Sequence, residues 1–293
     1  MRATRARLFQ SLRPLLHENP LGLPRSGTPP SWPKKVVRRR IPGVGKVVAV
    51  SSAKGGVGKS TIAANLSMAY AKLGYRAGIL DTDIFGPSIP TLFRLTDNPR
   101  LSGQNQLVPL VNYGVKTMSM GYLVDEKAPI VWRGPMVMKA IQQLLHEVEW
   151  GGLDILILDL PPGTGDTQLT ITQQIFLDGA VIVTTPHTLA TKDALKGINM
   201  FEIVDVPIIG LIQNMSLFQC PNCHKATHIF GSNERVYTLC DQKNINFLGD
   251  IPLHPRISDD ASRGKPTMAA EPESERASAF INLAQQIGQK ITL

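Results

Sequence analysis

The residues with the clearest chemistry lie in a glycine-rich stretch, residues 53–60, which reads AKGGVGKS. An apolar, β-branched run at residues 47–50 precedes it, and residues 61–70 follow it with an Ile/Leu/Met face, so the predicted order is strand, loop and helix. Glycines let such a loop turn its backbone N–H groups towards a phosphate, and the helix N-terminus adds a partial positive charge. The stretch therefore predicts a site for a nucleotide phosphate.

The start of this loop departs from the usual G-x-x-x-x-G-K-[ST] pattern, because Ala53 replaces the first glycine and a second lysine, Lys54, follows it. The K-G-G-x-G-K-S form resembles the deviant Walker loop of the dimeric ATPases that include the MinD, ParA and Mrp families. A glycine-rich turn that binds nothing is the alternative, and the order of strand, loop and helix disfavours it.

Asn214 follows a predicted strand at residues 208–212 and is assigned to the adenine edge. The predicted nucleotide-binding residues are Lys54, Gly55, Gly56, Val57, Gly58, Lys59, Ser60, Thr61 and Asn214.

Carboxylates follow two of the predicted buried strands. Residues 77–80 lead into Asp81 and Asp83, and residues 154–159 end in Asp159. Parallel strands of an α/β sheet present their ligand-binding groups at these C-terminal ends. Asp159 fits the Walker B position that holds the Mg²⁺ shell. Asp83 fits a role in orienting the attacking water or binding Mg²⁺ through water, and a turn or helix cap is its alternative. We predict ATP and Mg²⁺ as cofactors, with Lys54, Asp83 and Asp159 as the catalytic residues.

Predicted strands and helices alternate along the chain from residue 47 onwards. This alternation predicts an α/β fold with one doubly wound, mostly parallel sheet of the deviant Walker P-loop NTPase type. The predicted strands are residues 47–50, 77–80, 115–120, 154–159, 180–185, 208–212 and 247–252. The predicted helices are residues 61–70, 132–148, 189–204, 232–242 and 272–290.

Positive charge is concentrated at the N-terminus. The first 40 residues hold ten of the 31 Lys and Arg side chains and one of the 23 Asp and Glu side chains, so the remainder is close to neutral. A near-neutral body lacks the electrostatic footprint of a nucleic-acid-binding protein. We therefore predict no nucleic-acid partner, and since no long apolar stretch occurs, no stable membrane insertion.

The basic N-terminal segment is Arg-rich, acid-poor and amphipathic, which is typical of a mitochondrial transit peptide. A disordered basic arm that binds RNA or membrane is the alternative. We predict that residues 1–40 are the transit peptide with a Pro-rich linker, and that residues 41–293 form a single P-loop ATPase domain. The expected location is the mitochondrial matrix, and three cysteines in 293 residues suit a reducing compartment.

A C-x-x-C pair, Cys220 and Cys223, provides the candidate metal ligands. Such a pair is compatible with a redox dithiol, with zinc completed by His224 and His228, or with half of an iron–sulfur site. A [4Fe–4S] cluster takes four thiolates, so two would come from a second copy across a two-fold axis. Cys240 lies in a predicted helix and is interpreted as a buried apolar residue.

These motifs together resemble the Mrp/ApbC family of iron–sulfur carrier ATPases over residues 43–290. The resemblance implies a homodimer that holds a [4Fe–4S] cluster between Cys220 and Cys223 of both copies and uses ATP to deliver it to apoproteins. Residues 131–134 and 227–231 are most similar to the mitochondrial member, which implies delivery for respiratory complex I. A ParA/MinD-like nucleotide switch, with an incidental or zinc-binding Cys pair, is the alternative. Such a switch would be favoured by a C-terminal amphipathic membrane helix rich in Lys and Arg. Residues 285–293 contain Lys290 as their one basic residue.

Overall fold

The structure is a computed structural model, and it describes residues 38–123, 134–220 and 222–293. Residues Arg38–Leu293 form one compact unit. The predicted amphipathic leader and most of the predicted linker lie outside the described residues, as do residues 131–133 of the segment that resembles the mitochondrial member.

Within the described residues, nine strands form one sheet, in the order β3-β4-β2-β5-β1-β6-β7-β8 with β9 paired to β7. All neighbouring strands are parallel except the pairs β3–β4 and β7–β8. The predicted, mostly parallel sheet is therefore confirmed. The strands are β1 (Val44–Ser51), β2 (Ala77–Asp81), β3 (Leu110–Asn112), β4 (Val115–Ser119), β5 (Leu153–Asp159), β6 (Gly179–Thr184), β7 (Ile208–Gln219), β8 (Ala226–Thr227) and β9 (Phe247–Leu253).

Helices cover both faces of the sheet. Buried side chains of α1, α2, α8 and α9 form one apolar core with one face of the strands, and those of α3, α4, α5 and α6 form a second core on the other face. Because both faces are covered, the central strands are nearly continuous apolar runs, as in β2 and β6, where every residue is buried. The helices are α1 (Lys59–Lys72), α2 (Ile89–Phe93), α3 (Gly134–His146), α4 (Asp166–Gln174), α5 (Thr188–Ile203), α6 (Glu234–Lys243), α7 (Pro255–Ser262), α8 (Thr267–Ala270) and α9 (Glu275–Ile291).

The structure corrects several predicted boundaries. The strand predicted at residues 208–212 continues to Gln219, because its last residues pair with the antiparallel strand β8. The elements β3, β8, α2, α4, α7 and α8 were not predicted. Of these, β3 and α2 have only three and five residues, too few to show a periodic apolar pattern.

No helix among the described residues is long and apolar enough to cross a membrane.

Two phenylalanines allow a matched test of the core. Phe280 of α9 is fully buried, whereas the Phe85 side chain is 73% exposed. Phe280→Ala is expected to lower the free energy of unfolding by about 3–5 kcal/mol, because it leaves a cavity in the core beneath α9. Phe85→Ala is expected to change it by less than about 0.5 kcal/mol. Urea unfolding followed by circular dichroism measures both, and equal effects would contradict the assignment of α9 to the core.

Candidate functional site

A phosphate loop (residues 52–58) joins β1 to α1. Gly56 and Gly58 have φ values of 80° and 83°, a left-handed backbone that favours glycine. A Cβ atom on Gly58 would also lie 2.2 Å from Nδ2 of Asn214, so this position excludes a side chain for two reasons. Gly58 caps α1 without a side-chain hydrogen bond, which leaves the first N–H groups of the helix available to an anion.

The loop forms one wall of an open cleft of about 440 Å³. The opposite walls come from the segment after β2, the loop after β5 and the end of α7. Most of the predicted nucleotide-binding residues line this cleft together with Asp83, as expected for a phosphate site. The lining residues are Ser52, Gly55, Gly56, Gly58, Lys59, Ser60, Thr61, Asp83, Pro87, Ser88, Thr91, Leu92, Pro162, Ala261 and Ser262.

A buried ion pair lies at the base of the cleft. Lys59 and Asp159 are 6% and 0% exposed, and the Lys59 ammonium donates to Oδ1 of Asp159. The same ammonium lies 3.3 Å from Oγ of Ser60. Oδ2 of Asp159 is buried and has no hydrogen-bond partner among the residues that the structure describes. An unpartnered carboxylate oxygen near a hydroxyl is a set of hard oxygen donors that fits Mg²⁺, so Asp159 and Ser60 are the residues that would hold it.

Asp81 is a second buried carboxylate, directly beside Asp159 in the β2–β5 register. Its Oδ2 accepts from Oγ of Ser119 (3.0 Å) and from the N–H groups of Ser88 (3.1 Å) and Ile89 (3.3 Å). Burial, and then the nearby charge of Asp159, raises the pKa of the Asp81 carboxyl to about 7. Asp81 therefore fixes the start of α2 and adds a carboxyl to the base of the cleft.

Asp83 lies two residues further on, half-buried in the wall of the cleft. Its N–H donates to Oδ1 of Asp81 (3.0 Å), and its own Oδ1 accepts from the N–H of Gly86 (3.2 Å). The buried carboxyl thus sets the position of the one that faces the cleft. Sequence reasoning did not identify this role of Asp81. The only signal for it in the sequence is the spacing of the two aspartates.

The loop after β5, here called the switch loop (residues 160–165), is tied to the phosphate loop. The N–H of Gly163 donates to the carbonyl of Ser52 (2.9 Å), and Nε2 of Gln168 donates to Oγ of Ser51. Thr82 also donates to the carbonyl of Asp159 through its N–H (3.0 Å) and its hydroxyl (2.9 Å). The backbone hydrogen bond from Gly163 to Ser52 therefore joins the switch loop to the phosphate loop. Sequence reasoning missed Gln168.

Three of the predicted nucleotide-binding residues, Lys54, Val57 and Asn214, are not among the lining residues of the cleft. Lys54 is half-buried, and its ammonium forms no ion pair with any residue that the structure describes. Asn214 is 7% exposed and donates through Nδ2 to the carbonyl of Val57 at 2.8 Å. This bond orients the amide and leaves its oxygen to accept a hydrogen bond. Its assignment to adenine stays a prediction.

The Cys pair lies at the tip of a β-hairpin formed by the end of β7 and β8, here called the cysteine hairpin (residues 218–220 and 222–227). The N–H of Cys220 donates to the carbonyl of Lys225 (3.1 Å), and the N–H of His224 donates to the carbonyl of Cys220 (2.9 Å). Hydrogen bonding from the backbone of Cys223, and then from that of Asn222, lowers the pKa of the Cys220 thiol. Cys223 is exposed. A thiol with a lowered pKa at the tip of a hairpin suits metal binding.

The other candidate metal ligands do not converge on this pair. Nδ1 of His228 lies 3.2 Å from the carbonyl of Ser216. The imidazole is therefore engaged by the backbone of β7. Among the described residues, no group of three or more His, Cys, Asp or Glu side chains could hold a metal ion. Cys240 is buried in α6, as predicted, and burial raises the pKa of its thiol to about 11. One chain therefore offers two thiolates.

The fold, the deviant loop and the buried carboxylates define a P-loop ATPase of the ParA/MinD type. The family model described as "ParA: NUBPL iron-transfer P-loop NTPase" matches residues 43–288, and the chain belongs to that family. This finding confirms the family resemblance read from the sequence.

Three known proteins illustrate the relationship. The chain is 48% identical over 256 residues to the mouse iron-sulfur cluster transfer protein NUBPL, covering 87% of this chain and 80% of the relative. It is 46% identical over 249 residues to the Arabidopsis thaliana iron-sulfur protein required for NADH dehydrogenase, mitochondrial, covering 85% and 79%. Among solved structures, it resembles a nucleotide-binding protein from Archaeoglobus fulgidus in complex with ADP, with a TM-score of 0.69, 38% identity and coverage of 81% and 92%.

Removal of the buried ammonium tests the cleft. Lys59→Ala is expected to weaken ATP binding by about 100-fold or more, to the point of no detectable binding, because the β/γ-phosphate loses its buried charge partner. Isothermal calorimetry measures the affinity, and near-UV circular dichroism verifies that the variant is folded.

Lys54→Ala is the matched control, since it removes a lysine from the same loop that is outside the cleft lining. Its ATP affinity is expected to stay within about threefold of the wild type. Wild-type affinity in Lys59→Ala would contradict the phosphate-site assignment.

The raised pKa of Asp81 predicts a pH dependence of stability. A carboxyl whose folded pKa lies above its unfolded pKa contributes stability that is full at acidic pH and is lost as the pH rises through about 7. As the pH rises from about 5 to about 8, the free energy of unfolding of the nucleotide-free wild type is therefore expected to fall relative to that of Asp81→Asn. Urea unfolding across this range measures it. A difference that does not change with pH would show that Asp81 is ionised throughout.

Proposed function

We propose that this chain is an ATP-dependent carrier that holds a [4Fe–4S] cluster between two copies of itself and delivers it to mitochondrial apoproteins, for the assembly of respiratory complex I. The observation that carries the proposal is the pair of thiols at the tip of the cysteine hairpin, with Cys220 half-buried and Cys223 exposed. Among the described residues of one chain, no third ligand accompanies the pair. The carrier role is supported by the relatives, which are named as iron-sulfur cluster transfer and iron-sulfur cluster carrier proteins.

The count of ligands supports the dimeric form of the site. A [4Fe–4S] cluster takes four thiolates, and each chain supplies Cys220 and Cys223. Two copies related by a two-fold axis would bring both pairs to one point. Because the hairpin tip is exposed, such an approach requires no rearrangement of the core.

The cleft supports ATP binding and hydrolysis by residues of this chain. Lys59 would neutralise the β/γ-phosphate charge, and Asp159 and Ser60 would hold Mg²⁺, which supplies electrostatic stabilisation of the phosphates when it is bound. Asp83, held by Asp81 and facing the cleft, would orient the water that attacks the γ-phosphate. Lys54 would reach the phosphates of the second copy, as its position in the resembled families implies.

The location is proposed from the composition of the N-terminal segment and the names of relatives. Residues 1–40 have the composition of a transit peptide, and the Arabidopsis relative is named as mitochondrial. The matrix is therefore the proposed compartment, and complex I subunits are the proposed recipients.

Anaerobic reconstitution with iron and sulfide tests the proposal. The expected product is a dimer with about four iron atoms per two chains and the Mössbauer spectrum of a [4Fe–4S] cluster. Cys220→Ser is expected to lose the cluster, since it removes two ligands from a symmetric site, and Cys240→Ser is the matched control that keeps it.

Several outcomes would contradict the carrier proposal. They are a monomeric holo form, about four iron atoms in each chain, or a Cys220→Ser variant that keeps its cluster. Stoichiometric zinc bound by Cys220, Cys223, His224 and His228 would support the alternative of a nucleotide switch with a structural metal.

A further inference from the structure

One strand, β7, contacts the phosphate loop and leads directly into the Cys pair. Within this strand, Asn214 donates to the carbonyl of Val57 at 2.8 Å, and Gly58 approaches the same amide too closely for any side chain. Cys220 follows Gln219, the last residue of the strand. The nucleotide cleft and the cysteine hairpin are therefore joined by a short stretch of a single strand.

The far end of this stretch is fixed to the returning chain of the hairpin. The carbonyl of Ser216 lies 3.2 Å from Nδ1 of His228, and β7 pairs with β8 between these residues and the tip. The Cys220 N–H closes the hairpin on the carbonyl of Lys225. From Ser216 onwards the strand is held to β8 by pairing, and to β9 by the Ser216 hydroxyl on the carbonyl of Ile251 (3.3 Å) and by the pairing of Phe218 with Leu253.

Met215 lies between the two anchored segments and has an unusual backbone. Its φ is 56°, a left-handed conformation that residues other than glycine rarely adopt. The pairing of β7 with β9 also shifts its register between Asn214 and Phe218. Irregularities of this kind bend a strand and redirect the side chains that follow, so β7 changes direction at the residue between its two anchors.

We infer that Met215 is a positioning residue, a backbone hinge through which the state of the phosphate loop sets the orientation of the cysteine hairpin. The inference rests on the proposed function, because it treats the hairpin as the cargo site. A nucleotide that fills the loop and accepts or donates at the Asn214 amide alters the anchor on one side of the hinge. The hairpin on the other side then changes its exposure, and by linkage the cargo changes nucleotide affinity by the same factor.

The test measures the alkylation rates of Cys220 and Cys223 in the cluster-free full chain, with reduced thiols, by mass spectrometry. Rates are compared with and without saturating Mg²⁺ and a non-hydrolysable ATP analogue. The wild type is expected to show a nucleotide-dependent change of about fivefold or more. Buried Cys240 serves as the internal reference for unfolding, since its rate stays low in any folded variant.

Substitutions at the hinge separate a positioning role from a packing role. Met215→Gly relaxes the backbone and is expected to reduce the nucleotide effect to less than about twofold, with ATP still bound. Met215→Asn tolerates the left-handed backbone and is expected to retain the effect. Asp205→Gly is the matched control, because Asp205 has a similar φ of 53° outside β7.

Equal alkylation rates with and without nucleotide in the wild type would overturn the inference, as would a full nucleotide effect in Met215→Gly. Loss of the effect in Asp205→Gly would also overturn it, because the change would then not be specific to β7. The readout uses no cluster, so the iron content of reconstituted protein tests the proposed function separately.

Discussion

The buried pair of Lys59 and Asp159 is the interaction on which the nucleotide site depends. It joins the first residue of α1 to the last residue of β5, and both side chains are almost inaccessible to water. Breaking a buried pair costs more than the pair contributes, because it leaves an uncompensated charge. Asp81 adds another carboxyl beside the pair. Above about pH 7, where Asp81 is ionised, the base of the cleft therefore holds two carboxylates against one ammonium, an imbalance that a divalent cation would neutralise.

The two candidate sites use the sheet in different ways. The cleft lies at the carboxyl ends of β1, β2 and β5 in the centre of the sheet, where ligand sites of doubly wound folds form. The cysteine hairpin lies at the edge of the sheet, where β7 pairs with the short strand β8. Both residues of β8 are exposed. The central position gives Lys59 a rigid, desolvated surrounding. The edge position leaves Cys223 accessible to a partner.

The sequence predicted those parts of the site that depend on local pattern. The glycine loop and Lys59 were identified because they follow a recognisable strand, and Asp159 because it ends one. The Asn214–Val57 bond, between residues 157 positions apart, and the donation from Ser119 to Asp81, 38 positions apart, depend on tertiary packing. No local pattern contains such contacts. The extension of β7 was missed for the same reason, since it depends on pairing with a later strand.

The strand order has a consequence for the assembly of the protein. Lys59 and Asp159 lie 100 residues apart along the chain, and β1 is placed between β5 and β6, which follow it much later. Pairings of such long sequence separation are slow to form, because loop closure must precede their stabilising contacts. During synthesis β1 therefore has no pairing partner until β5 has been made, and no second partner until β6 has been made. Substitutions that delay this step lower the yield of folded protein even where they touch neither the cleft nor the cysteines.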